Sequence, residues 1–130
     1  MRLQKNRRGT ASVELAVCLP VIVAFVFGGI ETVNAIFLKQ GLTIAAYEAA
    51  KIASLRGGTQ ADAELRGNSV LSDRGFSGSN LTISPEVDSS TASGTKITVT
   101  ATAPANANAI APVMYYGNTT LRAEVSMVRN

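Results

Sequence analysis

Apolar and polar positions alternate in two different rhythms along this chain, and the change falls near residue 56. Leu15 to Ile30 is sixteen residues without a charge. From Glu31 to Leu55 the pattern turns amphipathic: Val33, Ile36, Phe37, Ile44 and Tyr47 recur at helical spacing, while Ala45, Ala46, Ala49, Ala50 and Ala53 form a small-residue surface on which another backbone can pack closely. Good helix formers fill this stretch, and Gly57-Gly58 supplies a stop with Arg56 in the last turn. One helix from about Thr10 to Leu55 is predicted, long enough to project well beyond a bilayer. Pro20 removes a backbone donor and Gly28-Gly29 lowers local stiffness, so these three residues mark a candidate hinge.

Beyond Gly57 the period shortens. Residues 57–80 are rich in Gly, Ser, Asn and Asp, with a short helix expected around Gln60 to Leu71 and Thr59 as its cap. Leu81, Ile83 and Val87 then share one parity, as do Ile97, Val99, Ala101 and Ala103, and Leu121, Ala123, Val125 and Met127. Such alternation predicts three half-buried strands. Ser89 to Gly94 reads as the turn of a hairpin between the first two, and "PANANAIAPVMYYGN" must connect the second to the third. Three strands cannot bury much alone, so their apolar face needs the helix beyond Glu31 as a partner. The expected fold is α+β: a long N-terminal helix, membrane-spanning in its first half, with a small antiparallel sheet packed on its outer half.

Charge refines the picture of the N-terminus. The net charge is +3, but Arg2, Lys5, Arg7 and Arg8 precede any acid, and residues 10–130 carry eight basic and nine acidic groups. The folded part therefore lacks the basic stripe that nucleic-acid binding needs. Counting from Thr10 to Ile30 gives twenty-one residues, about 31 Å of helix against a hydrocarbon core of about 30 Å. That span works only if Glu14 lies inside the membrane or at its boundary. The upstream cations place the N-terminus in the cytoplasm and the remainder outside.

Candidate chemistry is sparse. There is no histidine, and Cys18 is the single cysteine, so zinc arrangements and internal disulfides are excluded and no metal or cofactor is expected. The acids are scattered, without a phosphate loop or a nucleophile elbow, and no enzymatic activity is expected. Cys18 reads as a small apolar side chain in a membrane helix. Met114, Tyr115 and Tyr116 read as loop side chains packing onto the sheet, and the triplets at Asn80 and Asn118 as idle glycosylation matches.

The segment "RRGTASVELAVCLPVIVAF" carries the most specific signal: a basic leader, Gly9, a small residue, a glutamate five places on, then an apolar run containing a proline. It resembles the prepilin processing signal of type IV pilin-like proteins, and the chain is most similar to the TadE-like pseudopilins of the tight-adherence (Tad/Flp) system. The resemblance implies cleavage between Gly9 and Thr10 by a prepilin peptidase, Thr10 as mature N-terminus, and a structural subunit that assembles with other pilins and the Tad machinery. With the leader at 1–9 that this resemblance implies, the residue pattern divides the rest into helix, linker and β segments at 10–56, 57–80 and 81–130. Leu15 follows the glutamate where major Flp pilins carry an aromatic residue, and about 75 residues follow the helix. A minor pilin fits better than a major one; the C-terminal half has no fingerprint separating TadE from TadF- or TadG-like roles.

Cleavage would remove four cations and create an α-amine with a reference pKa near 7.7–8.0. Glu14 would then face a new cation, paired across subunits with the Thr10 amine of a neighbour. Two other readings stand: a signal peptide cut after Val33-Asn34-Ala35, with Ile36 as mature N-terminus, and an uncut leader holding a permanently anchored binding module outside the membrane.

Overall fold

A computed structural model of the chain describes residues 7–110 and 116–130, with the backbone alone at residues 7 and 8. The leader cations Arg2 and Lys5, the side chains of Arg7 and Arg8, and Met114 and Tyr115 lie outside the described residues. Helix α1 spans Arg7–Ser54, 48 residues in one run, or about 72 Å. Helix α2 spans Gln60–Asp73 and is capped as the sequence predicts, with Thr59 Oγ1 accepting the Asp62 N–H. Strands β1 (Asn80–Ser84), β2 (Lys96–Pro104) and β3 (Thr120–Val128) follow, with a single 3-10 turn at Asn106–Asn108 after β2.

The three strands form one antiparallel sheet in the order β1-β2-β3. Its register aligns Ile83 with Val99 and Val99 with Val125, which brings the predicted apolar parities onto one face. Ile97, Val99, Ala101 and Ala103 of β2 are buried, as are Leu81 and Ile83 of β1 and Ala123 of β3. Leu121, Val125 and Met127 of β3 pack against this core while half covered. β1 stops at Ser84, short of Val87, because Pro85 has no N–H to continue a ladder. Val87 is nonetheless buried, just past the strand.

The outer half of α1 closes this core with its small face. Leu38, Leu42, Ala45, Ala46, Ala49, Ala50 and Ala53 are buried. The larger residues of the same stretch, Val33, Ile36, Phe37, Ile44 and Tyr47, are 41–67% exposed. Alanine wins the inward face because α2 and the sheet both approach α1 closely. At Gly67 of α2 an added Cβ would stand 2.5 Å from Leu81 Cδ1 and 3.1 Å from Ala49 Cβ, so no side chain fits at that crossing. Gly41 gives the same latitude to the Phe76 ring, which an added Cβ would approach to 2.2 Å.

A candidate membrane and assembly segment

The inner half of α1 has no cover from the rest of the chain. Residues 9–23 are all exposed, and within Gly9–Ser54 the most apolar window has a mean hydropathy of 2.4 with none of it buried. Among the described residues this is one helix long and apolar enough to cross a membrane. A core helix of the same composition would be mostly covered by its own domain. Here the apolar side chains await another environment.

The predicted site residues all lie on this helix. Gly9 stands in open space, with nothing within 4 Å of an added Cβ. Thr10 and Glu14 are exposed and four residues apart, hence on one helical face. Helix α1 continues without interruption through Pro20, Gly28 and Gly29. Thr32 Oγ1 donates to the Gly28 carbonyl at 2.8 Å, a side-chain bond back across one turn. Together Ala24, Phe25, Gly28, Gly29, Thr32, Val33 and Tyr116 line an open, largely apolar groove of about 670 Å³. Cys18 is exposed on the same half.

Where this half meets the outer domain, two polar side chains of α1 grip the β2–β3 connection and a third reaches β3. Glu31 is 6% exposed and its Oε1 accepts the Tyr116 N–H at 2.6 Å. Asn34 Nδ2 donates to the Asn108 carbonyl at 2.8 Å. Asn108 in turn bonds through its side chain to the Ser77 N–H and to the carbonyls of Ser77 and Pro104. Lys39 Nζ donates to the Arg122 carbonyl on β3. These contacts fix the domain to the helix just beyond the apolar run.

The far end is fastened by Arg129. Its guanidinium is buried and donates to the carbonyls of Ala53 at 3.0 Å, Gly58 at 3.2 Å and Asp88 at 2.9 Å. One cation thereby caps the C-terminus of α1, the α1–α2 turn and the β1–β2 loop. Asp88 organises that loop: its Oδ1 accepts from the Ser90 hydroxyl and N–H and from the Thr91 hydroxyl, which holds its carboxyl below the ordinary carboxylate range.

Sequence reasoning missed Glu31, Asn34, Asn108 and Arg129 as organising residues. An acid directly after an apolar run was the one visible signal. Among the described residues no group of three or more His, Cys, Asp or Glu side chains is placed to hold a metal ion.

An exposed apolar helix that carries a small α+β domain at its far end is compatible with single-pass membrane anchoring. Residues 9–51, about a third of the chain, match the model of the TadE-like protein family, the family that the N-terminal motif resembles. The TadE-like family is a pilus-associated structural family and not an enzyme family. No curated protein and no solved structure matches the chain.

Proposed function

We propose that the chain is a pseudopilin or minor pilin: a structural subunit of a Tad-type pilus or secretion apparatus. A prepilin peptidase cuts it after Gly9, residues 10–30 cross the cytoplasmic membrane with the N-terminus inside, and α1 assembles with other pilins. The observation that carries this reading is the apolar window of α1, left bare by its own domain and opened by Gly9 and Glu14 at prepilin spacing. In assembly, Glu14 pairs with the Thr10 amine of a neighbouring subunit, offsetting two desolvation costs and fixing axial stagger. Pro20 and Gly28-Gly29 give the helix a place to bend as it leaves the lipid.

The signal-peptide alternative fits less well. A cut after Ala35 would discard Glu31 and Asn34, which hold Tyr116 and Asn108 to the helix. Mass spectrometry of the membrane-fraction protein, with and without the peptidase, tests both. A mature chain starting at Thr10 supports the proposal; a start at Ile36, or an intact leader on chains taken from a pilus, overturns it. Glu14→Leu should insert normally yet fail to co-purify with pilus components, and normal co-purification would remove Glu14 from the mechanism.

A further inference from the structure

The outer half of α1 is apolar on two faces, and its own domain covers one of them. On the other side, Val33, Phe37, Ile44 and Tyr47 are 41–67% exposed, with Gln40 between them and Phe37 also meeting the Phe76 ring edge-on at 6.0 Å between centroids. Their spacing alternates four, three, four and three residues. The same alternation runs back into the membrane half through Ile30, Val26, Val23 and Leu19, all exposed. A period of 3.5 residues is the seam of a left-handed helix pair, sustained here over four heptads. The buried residues Leu38, Leu42, Ala46, Ala49 and Ala53 occupy the opposite side of α1.

We propose that two copies of this chain pair in parallel along this line, α1 against α1, from Leu19 in the membrane half to Tyr47 outside it. Two features select a second copy as occupant. An uninterrupted seam that starts in lipid and ends in water requires a partner that crosses the membrane in the same direction and projects as far, which another α1 does. Apart from the Tyr47 hydroxyl at its outer end, Gln40 brings the one polar side chain to the seam beyond Leu19, and an apolar partner would bury its amide unpaired. In a parallel pair in register, Gln40 meets Gln40, and each amide both donates and accepts. No charged residue lies in the seam from Leu19 to Tyr47, so the in-register pair sets no like charges against each other.

This pairing rests on the membrane-anchored reading of α1, but uses neither Thr10 nor Glu14, which lie off the seam. Its test uses the full chain in native membranes, with Cys18→Ala and single cysteines at Val33, at Ile44 or, as an off-seam control, at Leu65, which is 72% exposed on α2. Mild oxidation should give at least tenfold more disulfide-linked homodimer at Val33 and Ile44 than at Leu65. Equal yields at the three sites, or products linked only to a different protein, overturn the proposal. Because Gln40 is exposed in the single chain, substitutions there leave the fold intact. In the Val33→Cys background, Gln40→Glu should cut the homodimer at least fivefold at neutral pH while Gln40→Leu preserves it; an unchanged yield with Glu overturns the register. Scoring the dimer in cells with and without the prepilin peptidase separates the two readings: a dimer of uncut chains leaves pairing standing when the cleavage proposal fails, and correctly cut monomers do the reverse.

Discussion

The two halves of helix α1 share a backbone and a high apolar content, yet they solve opposite problems. The inner half presents Leu, Val, Ile and Phe on every side and buries none of them within the chain. The outer half segregates largely by size: alanines and two leucines form the buried face, Ile52 and Phe37 touch the domain at its edges, and Val33, Ile36, Ile44 and Tyr47 face away. Hydrophobicity alone therefore says little about which surface becomes core. Close approach decides, because a sheet and a second helix both converge on one helical face and only small side chains allow that at native packing density.

The sharpest way to break this contrast is to put bulk where only hydrogen fits. Gly67→Leu should destabilise the outer domain by about 3–4 kcal/mol, since even a Cβ overlaps Leu81, and protease resistance of the domain in intact membranes should fall accordingly. Arg129→Ala leaves three carbonyls without their donor and should cost about 2–3 kcal/mol by the same assay. Arg129→Lys should recover part of that.

At the junction of the halves, Glu31→Ala should cost about 1–2 kcal/mol and expose the segment around Tyr116 to faster amide exchange. Glu31→Gln keeps the acceptor and should lose less. In the inner half, Val23→Ala should change outer-domain stability by less than about 0.5 kcal/mol, because Val23 is exposed and takes no part in the core.

The smallest effect is a pH dependence at Asp88. Its folded-state pKa lies below the unfolded value of 3.8, so its contribution is fully present above that value and fades as pH falls through the lower folded value. Asp88→Asn should flatten that acid limb slightly, read as the pH dependence of unfolding of the outer domain.

Much of this architecture was legible in the sequence. The long helix, the Thr59-capped second helix, three strands with their inward parities, and the packing of sheet on helix all follow from periodicity, which reports directly on which face is covered. The alanine face was visible as a surface suited to close packing, but its precedence over Val33, Ile36, Phe37, Ile44 and Tyr47 was not. That choice depends on how near α2 comes, and Gly67 and Gly41 acquire their meaning only once Leu81 and Phe76 are placed against them. Arg129, Asn34 and Asn108 were illegible for a related reason: each acts on backbone carbonyls or amides far away in the chain, and such partners leave no trace in side-chain pattern. Gly9, Thr10 and Glu14 were singled out through motif and charge, which need no tertiary context, and the structure places all three on the bare half of α1.

The clamp at Arg129 also orders events in time. The carbonyls it satisfies belong to segments that precede it by 41 to 76 positions, so as the chain folds the helix end, the first turn and the hairpin tip must wait, partly solvated, until the third strand arrives. A nick anywhere between the second and third strands would leave the outer domain half-locked on α1, with those three carbonyls returned to water and the segments around them open to proteolysis.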